Sequence, residues 1–455
     1  MRMHRQNITE RFALKPASLM LASFAATIVA GALLLMLPAA TAPGASTSGL
    51  DALFTATSAV CVTGLVVRDT ATHFSTLGQC IILVLIQAGG LGIMTFSVAI
   101  VLLLRRTVAV SQEATMRTVL DQELAANIRS LILFILAMTF CAELIGAAAL
   151  AVAWWGRFSP ADTIYHATFH AVSAFCNAGF STWSDSLTQF AGDWVTCGIV
   201  GALIVSGGLG FVVIQDIWAH ARRRLATGRP WAHPYRAQTQ IALRMTGLLI
   251  VGGALLIGCL EWTHAFAGRA PGERVLLALF QSVTARTAGF NTVDIAHLAP
   301  ASLLVLMVLM FIGACPGSTG GGVKTTTLAV VLAAARRGLQ QRGEVEMCRR
   351  TVPGETIQKA VAIVALSLAA LVIAAAALLT TESQAFEKVL FETVSAFGTV
   401  GLSTGITGAL TPAGKVWVCA LMFLGRLGPL TLAFAFLRPR KRANYRHAEE
   451  AIMIG

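Results

Sequence analysis

Four glycines, Gly64, Gly179, Gly289 and Gly401, are separated by 115, 110 and 112 residues, and each closes a similar short run. The runs read Ser58-Ala-Val-Cys-Val-Thr-Gly64-Leu, Ser173-Ala-Phe-Cys-Asn-Ala-Gly179-Phe, Val283-Thr-Ala-Arg-Thr-Ala-Gly289-Phe and Ser395-Ala-Phe-Gly-Thr-Val-Gly401-Leu. A cation that sheds its hydration water needs replacement oxygens. Extended backbone with glycine's access to φ > 0 can supply them as a ring of carbonyls. The candidate ligands are the carbonyls just before each glycine, from Cys61 to Thr63, Cys176 to Ala178, Arg286 to Ala288 and Gly398 to Val400. The candidate ion-binding set is therefore Val62, Thr63 and Gly64, then Asn177, Ala178 and Gly179, then Thr287, Ala288 and Gly289, and finally Thr399, Val400 and Gly401. The side chains can differ between runs because the backbone does the coordinating. Arg286 is expected to point into the surrounding wall, since at the axis it would repel cations. No nucleophile–base pair or metal-ligand spacing is present in the sequence, so no bond chemistry is expected and the chain does not read as an enzyme.

The flanks of the four runs also repeat. Ten residues before each glycine stand Phe54, Phe169, Leu279 and Phe391; three residues after stand Val67, Thr182, Thr292 and Thr404. A second glycine follows 26–29 residues downstream, at Gly90, Gly208, Gly317 and Gly428. Four copies in register identify a repeated structural unit of about 110 residues. Each unit reads as a span, a short amphipathic helix, an extended glycine strand and a second span. The short helices, near 49–60, 161–175, 272–284 and 383–397, cannot cross a bilayer and must dip in and return. Irregular backbone at that depth survives only where it is buried in protein or lines a watery cavity. Four copies then surround a pore, with the partly negative C-termini of the short helices directed at its axis.

Composition agrees with that placement. The 455 residues are 56% hydrophobic and only 12% charged, with net charge +12. Eight apolar stretches, near 17–37, 79–104, 130–155, 195–218, 243–261, 301–335, 360–380 and 415–437, are long enough to span. The first has too long an apolar core for a leader and reads as a retained helix. Of the 34 basic residues, 25 fall on the N-terminal side and after even-numbered spans, including Arg222 to Arg224 and Arg438 to Arg442. Only 7 fall in the alternate segments. The positive-inside rule places both termini in the cytoplasm of a multi-pass protein of the cell membrane, in contact with lipid. It also removes the case for a nucleic-acid partner. The units are assigned to 16–107, 128–220, 240–337 and 358–438, with a cytoplasmic tail at 439–455. The nine cysteines form no C-x-x-C pair and read as small hydrophobes.

Span six is interrupted by Pro316 and the run from Gly317 to Gly322, a poor helix on propensity grounds. Val323 separates Gly322 from Lys324 and spoils a phosphate-loop pattern. Glu143, Lys324 and Arg426 lie inside spans, where charges are costly and default to paired or functional roles. Glu143 reads equally as half of an ion pair or as a functional group, whereas Gln215 and Asp216 read as interfacial.

The four degenerate runs, the loop Gly313-Ala-Cys-Pro-Gly-Ser-Thr-Gly-Gly-Gly-Val-Lys-Thr-Thr327 and Gly425-Arg-Leu-Gly-Pro-Leu-Thr431 resemble the Trk/Ktr/HKT superfamily of potassium transporters over essentially the whole chain. The chain opens on the first repeat, without the extra helix pair typical of the Trk type, and its tail from Tyr445 also resembles the Ktr membrane subunit. The resemblance implies an all-α membrane protein with eight transmembrane helices. These form four M1-P-M2 (helix–pore helix–filter–helix) repeats around a pseudo-fourfold pore. It further implies a homodimer, one pore per subunit, and a cytosolic nucleotide-binding ring of the RCK/KTN type. The loop at 313–325 becomes a gate formed by Pro316, Gly317, Gly320, Gly321, Gly322 and Lys324, with Arg426 near the inner pore. Gly64, where sodium-selective relatives carry serine, favours potassium as cargo over sodium, the other candidate ion; no other cofactor is implied. The alternative reading is a secondary transporter, a cation symporter with a midplane site at broken helices.

Overall fold

The computed structural model describes residues 16–109, 128–227, 235–340 and 343–429. The N-terminal basic residues Arg2, Arg5, Arg11 and Lys15, the cluster Arg438 to Arg442, the end of the fourth unit beyond 429 and the tail 439–455 lie outside the described residues. The chain is mostly helical. The first unit comprises α1 (Pro16–Leu35), the short α2 (Gly49–Val60) and α3 (Thr76–Ala109); the second comprises α4 (Ile128–Ala153), the short α5 (Pro160–Cys176), α6 (Trp194–Leu209) and α7 (Phe211–Thr227). The third has α8 (Ala237–Glu261), the short α9 (Pro271–Thr284), α10 (Pro300–Phe311) and α11 (Thr325–Leu339); the fourth has α12 (Gly354–Thr381), the short α13 (Phe386–Gly398) and α14 (Pro412–Leu427). The short helices fall within a few residues of their expected bounds. Ser48 and Ser159 cap two of them by accepting from Asp51 N and Asp162 N, and proline at the first position starts α5 and α9.

The units close into a cycle. The long helix that follows each glycine strand packs on the short helix of the next unit: α3 on α5, α6 on α9, α10 on α13 and α14 on α2. Among the described residues α4, α8 and α12 are long and apolar enough to cross a membrane, and α6–α7 forms a fourth such span if its bend is counted through. That bend, of 103°, corrects the sequence reading of a continuous stretch over 195–218. Gly210 sits at the break with φ +84°, and a Cβ there would lie 2.6 Å from the Pro316 carbonyl oxygen. Backbone from the third unit thus fills the space a straight helix would need, and Phe211 N donates to Gly317 O at 3.1 Å. Asp216, read as interfacial, is buried and accepts from Arg236 N at 3.0 Å, tying α7 to the start of α8. A two-stranded hairpin, β1 (Glu346–Met347) with β2 (Arg350–Thr351), follows α11 and was not expected.

One ion-pair cluster fastens the seam between the fourth and first units. Asp51, in the first turn of α2, accepts from Arg68 Nε at 2.9 Å and from Lys415 Nζ of α14 at 2.7 Å. Burial alone pushes the Asp51 carboxyl up, but Lys415 and Arg68 outweigh it and hold it below its ordinary value. A carboxyl held low in the fold stabilises above its unfolded pKa, and that contribution disappears as pH falls through the folded value. Asp51→Asn is therefore expected to lower stability at neutral pH by about 2 kcal/mol, discounted because Arg68 is half exposed. Melting curves across pH check this: the gap to the parent should close in acid. A gap of constant size would rule out the ion pairs as its source.

Candidate functional site

The structure brings the four repeated glycines together. Each run contains two residues at positive φ, the glycine and the residue two before it. Val62, Asn177, Thr287 and Thr399 stand at +55°, +60°, +73° and +50°; Gly64, Gly179, Gly289 and Gly401 stand at +90°, +70°, +77° and +91°. In a regular strand successive carbonyls alternate sides, and left-handed residues at every second position turn them toward a common side. A Cβ built on Gly64 would lie 2.4 Å from Ala178 O, on Gly179 2.6 Å from Ala288 O, on Gly289 2.2 Å from Val400 O, and on Gly401 2.2 Å from Thr63 O. Each such point is also 3.0–3.2 Å from the Cα of the next glycine. The contacts run from unit one through two, three and four and back to one, so the glycines form a closed ring in which only hydrogen fits. A chamber of about 430 Å³ opens on the side where the chain leaves the ring; all four glycines line it, together with Asp69 and Asp294.

Hydroxyls at the ends of the short helices fix these runs. Ser58 Oγ accepts from Gly64 N and Ser395 Oγ from Gly401 N, both at 3.1 Å, while Ser173 Oγ donates to Phe180 O at 2.8 Å. In the third unit Thr284 takes this place, donating to Phe290 O at 2.8 Å. Counting back from the glycine places Val283 there instead. The third unit is one residue shorter between helix and glycine, which also corrects the role of Leu279. Phe54, Phe169 and Phe391 are buried to 1% exposure or less, and their counterpart is Phe280 at 3%, whereas Leu279 is 37% exposed. The downstream glycines shift similarly. A Cβ on Gly89, Gly207 or Gly425 would lie 1.9, 1.8 or 1.8 Å from the carbonyl oxygens of Val60, Phe175 and Phe397. These three, each one to three residues before the repeated Gly90, Gly208 or Gly428, let the long helices touch the ends of the short ones.

Beneath the ring lies the interruption between α10 and α11. Its ends pair, with Gly313 N donating to Val323 O at 2.9 Å and Val323 N to Phe311 O at 3.2 Å. The segment between them, from Ala314 to Gly322, loops out. Gly317 and Gly322 have φ of +73° and +65°. At the tip, a Cβ on Gly320 would lie 2.2 Å from Thr287 Oγ1, and one on Gly321 2.3 Å from Thr399 Oγ1. The loop thus rests directly on ring residues of units three and four. Thr319 anchors it to unit two, its N–H donating to Gly207 O at 3.2 Å and its hydroxyl to Phe175 O at 3.2 Å. Pro316, half-buried, approaches the bend at Gly210 through its carbonyl. Two cations grip the tip. Lys324 Nζ donates to Gly320 O at 2.6 Å, and Arg426 donates to Thr319 O and, at 2.8 Å, to Gly89 O. Arg426 is 3% exposed, and its Nε has no partner.

Arg286 is buried and lines a small pocket with Ile204, Val205, Thr246 and Ile250, in the wall as expected. Glu143 finds no ion pair among the described residues; Gln87 Nε2 donates to it at 3.2 Å and Cys176 Sγ meets it at 3.8 Å. Sequence reading also missed a set of polar residues immediately after the buried phenylalanines, namely Thr55, His170, Gln281 and Glu392. All but Thr55 reach the segments leaving the ring. The available signal was a polar residue at one step of all four apolar short helices, hidden by the shortened third unit.

A family model described as "Cation transport protein" (TrkH) matches residues 4–445. The chain is 39% identical over 439 residues to the Ktr system potassium uptake protein B of Vibrio alginolyticus, covering 96% of this chain and 94% of that protein. It is 37% identical over 449 residues to the potassium/sodium uptake protein NtpJ of Enterococcus hirae, covering 97% and 98%. Among solved structures, the potassium transporter TrkH of Vibrio parahaemolyticus has the same fold, with a TM-score of 0.73 at 20% identity over 94% of this chain and 86% of that one.

Proposed function

The chain belongs to the TrkH cation transport family, and from that premise we propose that it takes up potassium across the cell membrane through a channel-like pore. The observation that carries this reading is the closed glycine ring with paired left-handed residues in every unit. Carbonyls of Val62 and Thr63 and their counterparts in the other units replace the ion's water, and membrane potential drives the flow. The four units, 16–107, 128–220, 240–337 and 358–438, supply eight spans as M1-P-M2 repeats about a pseudo-fourfold axis, with both termini and the 439–455 tail cytoplasmic. The acidic side chains of the chamber, Asp69 and Asp294, raise the local cation concentration at its mouth. The loop at 313–325, clasped by Lys324 and Arg426, is the gate in its closed position. The chain acts as a homodimer under a cytosolic nucleotide-binding ring; the names of the relatives, as members of a Ktr system, support the existence of such a partner subunit. The name of the Enterococcus relative supports sodium as a second cargo.

Expression in cells lacking potassium uptake tests the proposal: growth at low potassium and rubidium accumulation are the expected results. No rubidium accumulation by a chain that reaches the membrane, in the parent and equally in the Arg426→Ala variant that frees the loop, would defeat it. The break at Gly210 and the interrupted α10–α11 meet at Phe211 and Gly317, a feature that favours a symporter with broken helices. Obligatory ion coupling without single-channel currents in planar bilayers would decide for that reading.

A further inference from the structure

His170, Gln281 and Glu392 occupy one equivalent step of three short helices, each directly after the buried phenylalanine. All three are fully buried, at 1% exposure or less. Each side chain crosses from its helix to the chain that has just left the ring. His170 Nε2 meets Ser181 Oγ at 3.0 Å, and Gln281 Nε2 donates to Thr292 Oγ1 at 3.3 Å. Glu392 accepts from Ser403 Oγ at 2.8 Å with one oxygen and from Thr407 Oγ1 with the other. Ser403 Oγ in turn accepts from Gly405 N at 3.0 Å and lies 2.9 Å from Thr407 Oγ1, so one carboxyl gathers both hydroxyls and organises the turn after Gly401. Ser181, Ser403 and Thr407 all line the chamber above the ring. In the first unit Thr55 only bonds back to Asp51 O at 2.9 Å, and the ion pair of Asp51 with Arg68 links helix to exit segment instead.

We infer that these side chains are positioning residues for the ring, and that Glu392 in particular sets how sharply the ring discriminates among cations. This inference rests on the pore reading above. A carbonyl ring selects by the number and spacing of its oxygens, which the protein must hold against collapse around a smaller ion. Helix hydroxyls fix each run from below, through Ser58, Ser173, Thr284 and Ser395. The crossing side chains fix it from the exit side, so the ring is clamped at both ends. Glu392 makes the strongest clamp because a buried carboxyl with two hydroxyl partners leaves no alternative geometry without stranding a polar group.

The test uses the full chain in proteoliposomes, measuring the ratio of rubidium to sodium flux. Glu392→Ala, and separately the pair Ser403→Ala with Thr407→Val, should each lower that ratio about tenfold, the factor set by leaving one buried polar group without its partner. Glu392→Gln, which keeps an oxygen and an amide within reach of both hydroxyls, should hold the ratio close to the parent. A parental ratio in a folded Glu392→Ala protein overturns the inference; should that variant not fold, a parental ratio in the Ser403/Thr407 pair overturns it equally. A collapse in Glu392→Gln as severe as in Glu392→Ala also overturns it, because charge rather than position would then be the cause. Gly401→Ser run in parallel separates the two levels. If it alters the ratio while the Glu392 and Ser403/Thr407 variants do not, only the clamp fails; if it too leaves the ratio unchanged, the pore reading fails.

Discussion

Gly401→Ser is expected to reduce the discrimination of potassium over sodium by at least about tenfold, or about 1.4 kcal/mol. Two separate costs act there. At φ +91° any L-residue is strained, by roughly 1–2 kcal/mol. More seriously, the new Cβ would stand 2.2 Å from Thr63 O and 3.0 Å from the Gly64 Cα, both backbone atoms that cannot rotate aside. The ring must open at the junction of units four and one, and the oxygens it holds move apart. Gly156→Ser is the matching control, because Gly156 has φ +81° with nothing within 4 Å of its Cβ position. It carries the backbone strain without touching the ring and should transport like the parent. Rubidium uptake with competing sodium measures both variants. Parental discrimination in Gly401→Ser would remove the ring from the ion's path, and the same reasoning applies to Gly64→Ser.

The second large effect is expected at Arg426. Its guanidinium bridges the loop tip at Thr319 to α3 at Gly89 and, with Lys324, places two basic groups beneath the ring. Among the described residues neither group lies within ion-pair distance of a carboxylate. A buried charge near a conduction path opposes a passing cation by a few kcal/mol at the effective dielectric of a protein interior. Arg426→Ala removes both the repulsion and the bridge, so basal potassium flux in the absence of any regulatory partner should rise about tenfold or more. Deleting Gly317 to Gly322 should act in the same direction by removing the loop that rests on Thr287 and Thr399. Proteoliposome flux with the purified chain alone makes the measurement. Unchanged or lower flux in folded variants would show that the loop is a strut and not a gate.

Much of this site is legible in the sequence alone. The four glycine runs, the short helices and the break between α10 and α11 depend on local properties: glycine's access to φ > 0, apolar run length, and the inability of a proline–glycine stretch to stay helical. Such properties belong to a residue and its near neighbours, so they survive in one dimension. The distribution of basic residues is of the same kind.

Other features depended on which atoms arrive from elsewhere. Gly89 and Gly90 are indistinguishable by composition, and only the approach of the Val60 carbonyl shows which of them must lack a Cβ. Leu279 and Phe280 are equally apolar in sequence, and the packing of α9 alone buries one and exposes the other. Gly210 breaks α6 from α7 because backbone from Pro316, over a hundred residues away, occupies its inner side. Arg426 finds Thr319 and Gly89 across 107 and 337 residues of chain. Hydropathy marks a span but not its faces when nearly every position is apolar. The repeated runs and their glycines were therefore legible from residue type, whereas the one-residue register of the third unit, the bend at Gly210 and the clamp at Glu392 emerge only when the four units close on one another.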